Sequence, residues 1–318
     1  MPVHFQTSLI VFLVVFFPSL LKANERVANG RFEFEEPHMG VPVRIVLYAP
    51  SPNLAEQAVQ EAFAAFHTLN GIMSDYDSES ELSLLCIHNG SGRVSDDLFT
   101  VLKAAKHYST ISDGAFDITV GPMTRLWRRS RRQQELPKEE YIRQAKELVG
   151  NSLWELDEQT RSVRLLKTGM KLDLGGIAKG YAIDKAFEII QKQGITSFLI
   201  DAGGDFRVGS PPPHAEGWKI AKSNETVFLK NTAMATSGGR FQFVEINKVR
   251  YSHIVDPKTG LGSAGLHTVH VTAPTAMEAD ALATAVFLLG EEKGKALIAK
   301  IPNVSVEIIE SNVPFWHY

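Results

Sequence analysis

The sequence predicts an α+β fold in which mixed and antiparallel sheets pack against helices. Short β-branched runs are interspersed with segments of helical periodicity, and their order is too irregular for a doubly wound sheet. Neither an internal repeat nor a low-complexity linker interrupts 318 residues that carry 44% hydrophobic and 22% charged side chains. That length and composition suit an ordinary globular chain with a sizeable core, read here as a leader at 1–23 and one domain at 24–318.

The leader expectation comes from Ser8 to Leu21 (SLIVFLVVFFPSLL), an apolar run followed by Lys22-Ala23-Asn24. It is shorter than the roughly 20 residues that a spanning helix needs, and Ala23 is small enough to precede a cleavage site. No Lys or Arg precedes the run, so an uncleaved anchor in the inner membrane stays open beside a cleaved signal. Cys86 is the one cysteine and lies far from the leader, so neither an internal disulfide nor a lipid-bearing N-terminal cysteine is expected. Its apolar neighbours, Leu82-Ser83-Leu84-Leu85 and Ile87, mark it as a buried inert thiol.

Val41 to Tyr48 (VPVRIVLY) is β-branched and reads as a strand that tolerates Pro42 near its start. Asn53 is placed to cap the following helix, in which Ala58, Ala62, Phe66, Leu69 and Met73 keep helical spacing. Ser95-Asp96 caps a second helix that ends near Ser112, before Asp113-Gly114. Arg125 to Arg132 (RLWRRSRR) reads as a solvated loop or helix end, with a protein-docking surface as its functional alternative. A net charge of −3 and flanks that lack further basic or aromatic interleaving argue against nucleic acid as a partner.

Val163–Lys167 and Met170–Leu174 look like paired strands around Thr168-Gly169. A helix over Ile177–Gln193 follows, then strands at Thr196–Asp201, Trp218–Ala221, Phe241–Ile246 and Thr268–Thr272. Pro274-Thr275 opens a last helix through Met277–Ala285.

That last helix bears the first candidate chemistry. Asp280 and Thr284 are four residues apart and share one helical face. An acid among small apolar residues is costly without a compensating metal ion or arginine, and two oxygens at this spacing suit a hard cation. Glycines accompany acids or cations at Asp173-Leu174-Gly175-Gly176-Ile177-Ala178-Lys179-Gly180, at Asp201-Ala202-Gly203-Gly204-Asp205 and at Thr236-Ser237-Gly238-Gly239-Arg240. The first runs from strand into helix, where exposed backbone N–H groups and Lys179 suit a phosphate; tight turns are the plain alternative for each. His253, before an Asp256-Pro257 turn, is the best general base on chemistry, against a histidine that merely bonds backbone. His267 and His270 lack a third ligand at zinc spacing and read as structural. Asp117 either meets a ligand's polar edge or braces a turn, and Tyr76 either stacks on a planar ring or is an ordinary surface tyrosine.

Six motifs stand in one order: HMG at Met39, MSDYDSESELS from Met73, GAFDITVGP from Gly114, LDLGGIAKGYAID from Leu172, YSHIVDPKTG from Tyr251 and APTAMEADALATA from Ala273. In these the chain resembles the ApbE family of FAD:protein FMN transferases from about Glu36 to the C-terminus. The resemblance implies an ApbE-like (T-fold-like) architecture, FAD as substrate and magnesium as cofactor. It implies a magnesium shell of Asp280, Thr284 and backbone oxygens of Gly176 and Ala283. It implies that Met39, Tyr76, Ala115, Phe116, Asp117, Asp173, Lys179 and Ile254 line the FAD site, with His253 as base. The implied reaction carries FMN onto a threonine of an exported or membrane redox protein, such as a subunit of a sodium-pumping quinone reductase, and releases AMP. The implied location is periplasmic, without a lipoprotein anchor. FAD pyrophosphatase activity, giving FMN and AMP, and non-catalytic FAD binding are the competing readings.

Overall fold

The computed structural model describes residues 29–309 apart from 88–89, 223–224, 239–242 and 265–266. The leader, Phe241 and the Gly239-Arg240 pair therefore lie outside the described residues. Strands β1 (Gly30–His38) and β2 (Val41–Ala49) form a hairpin closed by Met39-Gly40. Both turn residues have positive φ, 49° and 79°, which matches the twist of the flanking strands. Helix α1 (Pro52–Met73) starts two residues earlier than a cap at Asn53 would place it, because Ser51 caps it by accepting from the Leu54 N–H at 3.3 Å. Pro52 sits in the first turn, where its missing N–H costs nothing.

Helix α2 (Glu81–Ile87) carries Cys86, whose thiol burial pushes its pKa up, as an inert thiol requires. After β3 (Ser91–Arg93), helix α3 (Asp96–Ile111) is capped by Ser95 and ends at Ser112. Asp113 and Gly114 follow with φ of 53° and 70°.

The basic run is not a loop, and it is more than a helix end, although Arg131 and Arg132 do occupy the last turn. It is the body of α4 (Gly121–Gln133), and Trp127 is 2% exposed within it. The charges hid an amphipathic pattern in which Met123, Trp127 and Ser130 face inward.

Helix α5 (Glu139–Lys146) leads to β4 (Trp154–Asp157) and β5 (Ser162–Leu165), which pair with each other. The expected partner, Met170–Leu174, is not a strand. Met170, Leu172 and Leu174 are buried, so its alternation reports burial without ladder pairing. The true hairpin turn is built by Asp157, which accepts from the N–H groups of Gln159 and Thr160, and by Arg161 at φ 52°.

Then come α6 (Ala178–Lys192), β6 (Phe198–Ala202), β7 (Asp205–Val208), β8 (Trp218–Lys222), β9 (Glu225–Leu229) and β10 (Thr232–Gly238). Strands β11 (Phe243–Ile246), β12 (Val249–Ser252) and β13 (Thr268–Ala273) precede α7 (Ala276–Leu289), α8 (Glu291–Ile298) and β14 (Ser305–Ile309). Among the described residues no helix is long and apolar enough to cross a membrane.

The main sheet has the order β1-β2-β6-β7-β10-β13-β14, with every neighbouring pair antiparallel. One face carries Val43, Ile45 and Leu47 into the main core with α1, α6 and α7. The other carries Val46, Leu199 and Met234 against Trp218 of the β8–β9 hairpin. This two-sided burial is why β2 reads as an almost unbroken apolar run.

Helices α6 and α7 approach most closely at Gly180, where an added Cβ would lie 2.3 Å from the Ala276 carbonyl oxygen. Gly180→Ala should therefore destabilise the fold by roughly 1–3 kcal/mol through overpacking. A urea melt checks this, and a midpoint equal to that of the unmodified chain would contradict the close approach.

Candidate active site

A cleft of about 930 Å³ opens where the glycine turn before α6 meets β7, β10, β13 and α7. Tyr76, Ala115, Phe116, Asp117, Asp173, Gly176, Lys179, His253, Ile254, Asp280 and Thr284 all line it, although they come from separate stretches of the chain. Met39 lies in the β1–β2 turn, packed against the main core, and Ala283 is fully buried inside α7; neither lines the cleft.

Asp280 is 5% exposed between the buried alanines Ala279 and Ala281. Its Oδ2 accepts from the Gly180 N–H at 3.0 Å and stands 4.0 Å from Lys179 Nζ. Burial pushes its carboxyl above the usual range, opposed by the Lys179 charge and the Gly180 hydrogen bond. Lys179 is also paired with the buried Asp205 carboxylate, so two buried acids share one ammonium. Asp205 Oδ1 accepts from the Thr236 N–H at 2.9 Å, which fixes the acid against β10.

Thr284 Oγ1 lies 3.4 Å from Ser237 Oγ, and a Cβ on Gly176 would come within 2.9 Å of the same Thr284 oxygen. Glycine at 176 therefore keeps room beside a cluster of oxygens. Among the described residues no group of three His, Cys, Asp or Glu side chains is placed to hold a metal ion. A cation here would draw on one carboxylate, hydroxyls, backbone and ligand oxygens. That set fits magnesium, which retains waters and bridges phosphates while using few protein carboxylates. The excess of acid over ammonium supplies the charge such an ion would balance.

Asp117 braces a turn and also lines the cleft. Its Oδ1 accepts from the Thr119 N–H at 2.8 Å and the Thr119 hydroxyl at 2.6 Å, while burial raises its pKa against those bonds. Asp173 Oδ1 accepts from the Gly175 N–H at 2.9 Å, holding the glycine turn in shape.

His253 is exposed at the cleft, on a backbone pinned from both sides. Before it, the Ser252 carbonyl accepts from Trp127 Nε1 at 3.0 Å; after it, the Ile254 N–H donates to Ser252 Oγ at 3.1 Å. Gly262 lets this packing occur, since a Cβ there would meet the Ser252 oxygen at 2.2 Å and the Trp127 ring at 2.7 Å. His270 Nδ1 bonds Thr236 Oγ1 at 2.9 Å, and His267 Nε2 lies 3.1 Å from the Phe287 carbonyl.

Several cleft residues were not singled out from the sequence. Asp205 stood in a quoted glycine cluster without a role, and that cluster is the β6–β7 turn, with Gly203 and Gly204 at φ 66° and 96°. Arg128 and Arg131 line the cleft from α4. Their spacing from Thr124, at four and seven residues, was the signal that could have found them once a helix was assumed.

A family model described as the ApbE family matches residues 39–308. The chain belongs to the ApbE family. A relative from Chlamydia muridarum named FAD:protein FMN transferase is 31% identical over 291 residues, covering 88% of this chain and 91% of its own. One of the same name from Haemophilus influenzae is 31% identical over 273 residues, covering 80% and 79%. The solved flavin transferase ApbE from Vibrio cholerae superposes with a TM-score of 0.79 at 28% identity, over 89% of this chain and 94% of that one. The ApbE protein of Thermotoga maritima gives 0.80 at 29% identity, over 89% and 97%. The family match takes in all of the cleft-lining residues named above.

Proposed function

We propose that this chain, an enzyme of the FAD:protein FMN transferase class, moves the FMN half of FAD onto a threonine hydroxyl of an exported or membrane redox protein and releases AMP. The observation that carries the reading is one juxtaposition. Lys179, Asp280 and Thr284 gather at the glycine turn of the same cleft that exposes His253 and Tyr76. The first group suits a pyrophosphate and the second suits a reacting hydroxyl and a flat ring.

Bound magnesium would neutralise the pyrophosphate oxygens, held by Asp280, Thr284 and the Gly176 backbone. Lys179, fixed by Asp205, would donate a hydrogen bond to a phosphate oxygen, with the phosphate charge left to the cation. His253 accepts the threonine proton as the threonine oxygen bonds to the FMN phosphorus. The bond from that phosphorus to the bridging oxygen breaks, and AMP leaves with that oxygen. The apolar run Ser8 to Leu21 supports export to the periplasm, where such acceptors would be met.

Incubation of the protein with FAD, magnesium and a threonine peptide, followed by mass analysis, tests the reading. The expected result is a peptide heavier by FMN less water, together with free AMP. Free FMN beside unmodified peptide would replace transfer by hydrolysis, and intact FAD would reduce the chain to a binding protein.

A further inference from the structure

Arg128 makes three contacts from one guanidinium. Its Nη1 meets Asp75 Oδ2 at 2.6 Å, its Nη2 meets Asp173 Oδ2 at 3.2 Å, and its Cζ lies 3.8 Å from the centroid of the Tyr76 ring. The contacts reach two segments besides its own helix. Asp75 and Tyr76 lie in the loop that follows α1, Asp173 holds the glycine turn through the Gly175 N–H, and Arg128 itself belongs to α4. The side chains of Asp75, Asp173 and Arg128 are only 17%, 12% and 26% exposed, so the clasp is largely withdrawn from water and little screened.

Tyr76 differs from its partners, because it remains 79% exposed although the guanidinium covers one side of its ring. A large aromatic side chain on a short loop would ordinarily sample several rotamers. Here its plane is set by a cation that is itself fixed by two carboxylates. The opposite ring face stays open, and Tyr76 and Arg128 both line the cleft.

We infer that Arg128 is a positioning residue for the dinucleotide: it orients Tyr76 as a stacking platform for one flat ring of FAD and ties that platform to the Asp173–Gly176 turn. The inference rests on the FAD reading above and adds a residue to it. Arginine suits this place where lysine does not. The planar fork meets two carboxylates along its edge while its face lies on the ring, and a lysine ammonium satisfies the charge without the plane.

The test is FAD affinity, read by flavin fluorescence, for Arg128→Ala, Arg128→Lys, Tyr76→Ala and the double variant Arg128→Ala/Tyr76→Ala. Arg128→Ala should weaken FAD binding by about tenfold, the scale of a partly buried cation–π contact. Arg128→Lys should recover part of that loss, and in turnover the rise in KM for FAD should exceed the fall in kcat. The double variant should bind no worse than Tyr76→Ala, because Arg128 acts through that ring. Losses that add in full would overturn the assignment, as would equal affinities for Arg128→Ala and the unmodified chain. An unmodified chain that bound no FAD would overturn the FAD reading together with this inference, whereas additive losses in a chain that binds FAD overturn this inference alone. A thermal melt of each variant accompanies the titrations, and AMP alone serves as a second probe. A fall in FAD affinity with unchanged AMP affinity assigns the platform to the flavin ring, and a matching fall assigns it to adenine.

Discussion

Asp280→Ala should abolish the dependence of flavin transfer on magnesium and lower the rate by at least about a hundredfold. The carboxylate is buried beside a single ammonium that already serves Asp205, so its charge is available to an added cation. Removing it leaves Thr284, Ser237 and backbone oxygens, all neutral, and a hard divalent ion is not held by these alone. Alanine also deprives the Gly180 N–H of its acceptor at the closest approach of α6 and α7. Asp280→Asn separates the two effects, because its amide oxygen can still accept from Gly180 while the charge is gone. AMP release measured across a magnesium titration should be flat for both variants, with the asparagine protein melting nearer to the unmodified chain. A normal magnesium response in Asp280→Asn would remove Asp280 from the proposed cation site.

The same residue shows what was legible in the chain. Asp280 and Thr284 fell on one helical face by spacing alone, and α7 indeed presents both to the cleft. Helices α1 and α3 were readable because each buries an apolar stripe, and α7 because Thr275 caps a run of small and apolar residues, as Ser95 caps α3. Strand β10 was not, because Thr232–Gly238 is made, Met234 apart, of small and polar residues whose burial comes from neighbours far along the chain. Strand β1 alternates phenylalanine with glutamate at a sheet edge, a pattern muted by its charges. Met170–Leu174 shows the converse. Its period of two was real, yet the backbone N–H of Asp173 bonds Ile118 and the segment joins no ladder. Arg128 and Asp205 escaped notice because their partners, Tyr76, Asp173 and Lys179, lie tens of residues away. Local patterns fix a helix face but not what a distant loop lays upon it.

His253→Ala should bind FAD nearly as the unmodified chain does and lose transfer by about 10²–10⁴-fold, the range for a missing general base. Its neighbours argue for the choice. Lys179 and Asp205 are committed to each other, Asp280 is buried and accepts from the Gly180 N–H, and His270 is buried with Nδ1 held by Thr236. His253 is the cleft histidine exposed to an incoming protein hydroxyl, and Trp127 and Ser252 hold its backbone. Because the side chain is exposed, alanine leaves the core intact and the melting temperature should barely move. Single-turnover transfer to the threonine peptide, with FAD binding followed in the same samples, reads both quantities. A variant that transfers at the full rate would sink His253 as the base. One that loses FAD binding in step with transfer would instead make the histidine part of the nucleotide pocket. The distinction bears on mechanism, since a base that touches only the acceptor leaves FAD bound and unspent until a threonine arrives.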